Sequence, residues 1–159
     1  MPETQKIGVM FVCLGNICRS PMAEAVFSHL VSKAGLEDRF EIQSAGIGSW
    51  HVGERPHPGT IKVLKQHQIS VNPNKRAQQI KSNLFNQFDY VVAMDQSNQQ
   101  DLKAFGQAFL LLDAVPSINT RDVPDPYYEK NFEVVFDLVL KGCTHLLERV
   151  IREKALDNG

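Results

Sequence analysis

The chain has 159 residues, 43% hydrophobic and 22% charged, with a formal net charge of −1 and a sequence pI near 6.5. That length supports one hydrophobic core and a single domain over residues 1–159, and the charge balance excludes a broad electrostatic footprint for nucleic acid. Three cysteines exclude a disulfide framework.

The first six residues, MPETQK, lack the positive n-region of a signal peptide, and the apolar run after them, IGVMFVCLG, is too short to span a bilayer. The expected location is the reducing cytoplasm, where a free thiol can work, with no membrane partner. IGVMFVC (7–13) is apolar without alternation and predicts a buried parallel strand. LGNICRS breaks the pattern. SPMAEAVFSHLVSKAG then predicts a helix with Ser20 as N-cap, Pro21 at the first helical position and Gly35 as its stop. Glu24 sits one position too late for a capping box. Met22, Val26, Leu30 and Val31 give the helix its apolar face.

FEIQSAG (from Phe40) predicts a second strand, and GIGSWHVGERPHPG an exposed Gly/Pro-rich connection. TIKVLKQHQ predicts a helix with Ile61, Leu64 and Val63 inward, and SNLFNQF a short one begun by Ser82. FDYVVAMD is a third strand, SNQQDLKAF a helix and AFLLLD a fourth strand. VPSINTRDVPDPYYEKN reads as a long loop before a terminal helix, NFEVVFDLVLKGCTHLLERVIREKAL, with apolar positions at helical spacing. Alternating strands and helices predict an α/β layered fold with a parallel sheet and right-handed crossovers. Ligands in such folds sit beyond the carboxyl ends of the strands. Cys13, Ser44, Asp95 and Asp113 fall at or just past those ends and are expected to share one rim.

Two stretches, CLGNICR and CTHLLER, hold a Cys and an Arg at the same spacing. The second lies inside the terminal helix, where six residues rise about 9 Å and turn roughly 120°. Cys143 and Arg149 then point in different directions, and the amides between them are tied up in the helix. Cys143 reads as a small buried residue and Arg149 as a surface one.

CLGNICRS differs because it joins a buried strand to a helix start. Gly15 and Asn16 tolerate left-handed backbone angles, so successive N–H groups of Leu14 to Ser20 can converge on an anion. The helix N-terminus adds donors and the positive end of its dipole. Arg19 supplies a planar fork for two phosphate oxygens. The same field favours a thiolate on Cys13, to which the Ser20 hydroxyl can donate. The phosphate-binding residues are therefore Leu14, Gly15, Asn16, Ile17, Cys18, Arg19 and Ser20.

VCLGNICRSPMAEAVF, followed in order by Ser44-Ala45-Gly46, Trp50, Met94-Asp95 with Ser97-Asn98, and Asp125-Pro126-Tyr127-Tyr128, resembles the low-molecular-weight protein tyrosine phosphatase family along essentially the whole chain. The resemblance implies a flavodoxin-like α/β fold. Its four-stranded parallel sheet has strand order 2-1-3-4, helices on both faces and the phosphate loop between the first strand and first helix. It implies Cys13 as nucleophile, Arg19 as phosphate binder and Asp125 as general acid. Asn16, Ser20 and Ser44 resemble loop-supporting residues, and Trp50, Tyr127 and Tyr128 the aromatic walls of the cleft. Family members often carry a histidine before an Arg-Ala-Arg-Gln-like stretch. Here KRAQQ, with Lys75 or Asn74 at that place, lacks it, so residues 74 to 79 receive no role.

The implied reaction is hydrolysis of phosphotyrosine on protein substrates through a phosphocysteine, releasing inorganic phosphate, by a monomer without cofactor or metal. Pro124 and Pro126 stiffen the loop that carries Asp125. Asp122 is the competing acid but lacks the DPYY context and reads as a turn carboxylate. Cys18 has two readings, a small loop-filling residue or a redox partner for oxidised Cys13. His51 and His57 lie in the Trp50 loop, within reach of the cleft, but read first as surface histidines. The histidines and cysteines show no zinc spacing.

Three other functions compete. A phosphoarginine phosphatase of the same family tends to carry Thr after the loop Asn, where Ile17 stands here. A thiol-dependent arsenate reductase needs further cysteines, which residues 75 to 100 lack. A phosphotyrosine-binding module without turnover would lack Cys13 or Asp125, and both are present.

Overall fold

Seven consecutive apolar or small residues form the first strand because the chain feeds two cores at once. Strand β1 (Ile7–Cys13) is buried at every position. Ile7, Val9, Phe11 and Cys13 enter one core, and Met10 and Val12 the other. Two-sided burial is the signature of an interior parallel strand. β1 pairs in parallel with β2 (Phe40–Gly46) on one side and β3 (Tyr90–Ala93) on the other. A two-residue β4 (Phe109–Leu110) adds beside β3, so the order is β2-β1-β3-β4. The α/β class and the strand order are those expected above. The computed structural model describes residues 6–116 and 118–156, without the side chains of Ala114, Tyr128 and Glu129.

Helices cover both faces. Helix α1 (Arg19–Lys33), α2 (Pro58–Gln66) and the long α6 (Phe132–Glu153) send Met22, Phe27, Leu64, Phe136 and Val139 into the first core. The short α3 (Ser82–Phe85) and α4 (Gln96–Leu102) send Phe85 and Leu102 into the second. Phe27 lies edge-on to Phe11 and Phe40, with ring centroids 5.5 and 5.7 Å away. Full burial of one such ring stabilises by about 1.5–3 kcal/mol.

Several local expectations change. Helix α1 begins at Arg19 with Cys18 as its N-cap residue, and no side chain caps it. Ser20 lies inside the first turn, and its hydroxyl turns to Cys13 instead. Gly35 does end the helix: at φ +72 its N–H reaches Ser32 O, while Leu36 N–H reaches Val31 O. In α2 the inward residues are Thr60, Val63 and Leu64, with Ile61 half-buried. The fourth strand ends after two residues because the chain turns at once into a 3-10 turn, Leu111–Ala114. That turn buries Leu110, Leu111 and Leu112 together. Asp113 leaves the strand-end rim and pairs with Arg121 at the surface. The predicted long loop contains a one-turn helix α5 (Pro126–Glu129).

Candidate active site

The β1–α1 loop packs against the end of β2, where Ile47 N–H donates to Cys13 O and Gly48 N–H to Leu14 O. Within it Asn16 alone takes a left-handed angle, φ 59. Gly15 does not; its lack of a side chain instead makes room for His51, whose Cδ2 would lie 3.0 Å from a β-carbon there. Asn16 is held by all four bonds its amide can make. Nδ2 donates to Ser20 Oγ (2.8 Å) and Ser44 Oγ (2.9 Å). Oδ1 accepts from Gln78 N–H (2.9 Å) and Lys75 Nζ (3.3 Å). With its side chain so fixed, Asn16 aims its own N–H at Cys13 Sγ, 3.3 Å away. Ser20 Oγ lies 3.0 Å from the same sulfur.

This network answers what stands in for the absent histidine. Lys75 Nζ also donates to Ser44 O (3.1 Å) and pairs with Glu24 Oε1 (3.3 Å), which accepts from Ser44 Oγ. Gln78 Nε2 makes a further bond to Ser44 O (2.9 Å). Glu24, too late for a capping box, thus serves the loop from inside α1. A continuous chain of contacts runs Lys75–Glu24–Ser44–Asn16–Ser20–Cys13. Removing the ammonium leaves a largely buried Glu24 carboxylate without its cation. Lys75→Met is expected to cost about 2 kcal/mol of stability and roughly tenfold in kcat/KM as the loop loosens. Thermal melts and phosphate-ester turnover check both effects.

Arg19 is 2% exposed, so its fork is oriented by neighbours rather than by water. Nη1 donates to Asp95 Oδ2 (2.5 Å) and Val123 O (2.9 Å). Nη2 lies 3.6 Å from Asp125 Oδ2, and Nε has no hydrogen-bond partner among the described residues. Burial alone would push the guanidinium's pKa down, but the charges of Cys13, Asp95 and Asp125 outweigh it, and the net direction is up. Arg19 therefore stays a cation, with Nη2 facing the Asp125 carboxylate and Nε buried without a hydrogen bond to the described residues.

Asp125 is the N-cap of α5, and its Oδ1 accepts Tyr127 N–H (3.0 Å). Asp122 points elsewhere: in an exposed turn its Oδ1 accepts Gln96 N–H at 2.8 Å. One cavity of about 280 Å³ joins Cys13, Arg19, Trp50, His51, Asp125 and Tyr127. Trp50 and Tyr127 stay 69% and 44% exposed at its mouth, while Cys13 at its floor is 3% exposed. His51, read as a surface residue, proves to be a wall: Nδ1 bonds Glu54 (3.1 Å) and its ring lies 5.8 Å from Tyr127. The Tyr128 side chain lies outside the described ones.

Cys18 lines the same cavity, and burial, followed by the Cys13 charge, pushes its thiol up to about 12. Cys143 is fully buried in α6, its thiol pushed up by burial, and Arg149 bonds Glu153. The second Cys–Arg pair forms no site. Among the described residues no cluster of His, Cys, Asp and Glu is suited to a metal, and no helix is long and apolar enough to cross a membrane.

Residues 8–156 match the family model described as low molecular weight phosphotyrosine protein phosphatase. The chain is similar to the low molecular weight protein-tyrosine-phosphatase YfkJ of Bacillus subtilis (strain 168), with 46% identity over 94% of this chain and 99% of that one. The crystal structure of YfkJ superposes with a TM-score of 0.92 at 44% identity, covering 96% of this chain and 99% of that one. The low molecular weight protein-tyrosine-phosphatase PtpA of Staphylococcus aureus (strain MRSA252) is 43% identical over 96% of this chain and 99% of its own. A Drosophila arginine phosphatase shares the fold with a TM-score of 0.82 and 34% identity, over 89% of this chain and 96% of that one. By sequence and by structure, the chain belongs to the low molecular weight phosphotyrosine protein phosphatase family.

Proposed function

We propose that the protein hydrolyses phosphotyrosine on protein substrates in two steps through a phosphocysteine on Cys13. The observation that carries this reading is the convergence on Cys13 Sγ of Asn16 N–H and Ser20 Oγ, with the Arg19 fork and Asp125 on the same cavity. In the first step the thiolate attacks phosphorus and the P–O bond to the aryl group breaks. Amides of residues 14 to 20, with Nε and Nη2 of Arg19, hold the non-bridging oxygens as charge redistributes. Oδ1 of Asp125 is engaged by Tyr127 N–H, so Oδ2 carries the proton that goes to the departing aryloxide. In the second step Asp125, now a carboxylate, takes a proton from water as that water attacks phosphorus. The S–P bond breaks, and thiolate and inorganic phosphate result.

Trp50, Tyr127 and His51 wall the entrance, and a phenyl ring stacked between them would carry its phosphate to the buried thiol. An alkyl phosphate is shorter and gains no stacking. Phosphotyrosine peptides are expected to exceed matched phosphoserine peptides by at least ~10²-fold in kcat/KM. Equal rates would contradict the reading. Ile17, buried against Cys18 and Ala77, presents an apolar side chain to the same cavity, which suits an aryl ester better than a guanidino group. A phosphoarginine peptide turned over faster than phosphotyrosine would reverse that assignment.

Cys18 is the resolving thiol in this reading. Peroxide would oxidise Cys13 to the sulfenic acid, and Cys18 sulfur would displace hydroxide to form a disulfide that a dithiol reduces. Loss of the Cys13 negative charge on oxidation removes one of the causes that hold Cys18 as a thiol.

A further inference from the structure

The segment that carries Asp125 has only one turn of helix of its own, so something outside it must fix where the acid stands. At its far end Phe132 packs against Ile17, Cys18 and Ala77, beside the phosphate loop. At its near end three bonds tie it to the β3–α4 junction and a fourth ties it to Arg19 of α1. Val123 N–H donates to Met94 O (2.9 Å), Val123 O accepts from Arg19 Nη1, and Asp122 Oδ1 accepts Gln96 N–H (2.8 Å) and Gln96 Nε2 (3.3 Å). Thr120 Oγ1 braces the turn by donating to Asp122 O (3.1 Å) and accepting Asp122 N–H (3.2 Å).

The first turn of α4 is thereby shared by two carboxylates. Asp95 caps Asn98 N–H with Oδ1 and grips Arg19 with Oδ2. Asp122 takes the neighbouring amide, that of Gln96, and belongs to the acid's own segment. Only Val123 and Pro124 separate Asp122 from Asp125, and prolines flank Asp125 on both sides. Fixed φ angles at Pro124 and Pro126 leave little slack, so a shift at Asp122 is transmitted to the carboxyl group of Asp125. We propose that Asp122 is a positioning residue that sets the reach of the general acid by latching its segment to Gln96 N–H. This rests on the reading of Asp125 as that acid.

A misplaced acid harms esters whose leaving group needs a proton and spares those whose leaving group does not. The test compares kcat/KM on phenyl phosphate and 2,4-dinitrophenyl phosphate, with inhibition by inorganic phosphate as a control on the binding loop. Asp122→Ala is expected to lose about tenfold on the phenyl ester, with less than about twofold change on the dinitrophenyl ester and in phosphate inhibition. Asp122→Asn keeps the acceptor oxygen and is expected to restore the phenyl ester rate. Gln96→Pro removes the donor at a first helical position that accepts proline, after an extended Asp95, and is expected to reproduce the selective loss in a folded chain. Equal losses on both esters, weakened phosphate inhibition, or an Asn variant as impaired as the Ala variant would overturn the positioning role. Asp125→Ala run in parallel separates the two ideas. If it fails to discriminate between the esters, the general-acid assignment itself falls; if it discriminates and Asp122→Ala does not, only the latch does.

Discussion

Cys13→Ser is expected to reduce turnover of every aryl phosphate by at least ~10⁴-fold, while inorganic phosphate still binds. The substitution keeps size and hydrogen bonding, so the bonds among Asn16, Ser20 and Ser44 need not move. It removes the sulfur proposed to form the phosphoenzyme. A serine hydroxyl in this place has no neighbouring base, since Ser20 and Asn16 N–H are donors toward it when Cys13 is a thiolate. Asp125, in the proposed mechanism, serves the leaving group. The proposed phosphate site uses amides and Arg19 rather than the sulfur, so phosphate inhibition constants should change by less than about threefold. Residual turnover within about tenfold of wild type would remove Cys13 from the chemistry.

Arg19→Lys is expected to cost roughly 10²–10³-fold in kcat/KM, with weaker inhibition by phosphate. The charge survives, but the fork does not. Nη1 holds Asp95 and Val123 O, which leaves Nε and Nη2 for two phosphate oxygens. A single ammonium cannot satisfy the Asp95 carboxylate and the Val123 carbonyl while also reaching the anion. Whichever it serves, the other loses its Arg19 bond in a site where Arg19 is almost fully buried. Because Val123 O is one of those partners, the acid's segment also loses a tether. The split between kcat and phosphate affinity tells the roles apart: unchanged phosphate inhibition in the Lys variant would mean that Arg19 does not bind the phosphoryl group.

The strongest sequence features were those that local physics makes distinctive. IGVMFVC could only be an interior strand, and the loop after it differed from CTHLLER in everything but spacing. Strand order followed from the family resemblance. The supporting contacts were less legible. Ser20 looked like a helix cap because cap preference is a local rule, yet the nucleophile competes for its hydroxyl. Gly15 looked like a left-handed residue, but its requirement is space for His51, set by a loop 36 residues away. Lys75 stands at the place of the absent histidine yet received no role, and Gln78 and Glu24 gave no signal, because such side chains ordinarily face water. Only the fold brings residues 24, 44 and 75 around one asparagine. Asp122 lacks the DPYY context and reads as a turn carboxylate, a reading that hides its bond to Gln96.

The central claim is a covalent intermediate on one sulfur. Enzyme quenched by denaturant during turnover of excess phenyl phosphate, then mapped by peptide mass spectrometry, is expected to carry a single phosphoryl group on Cys13 and none on Cys18 or Cys143. Turnover without any phosphoryl group on Cys13, or with the group on another residue, would contradict the account.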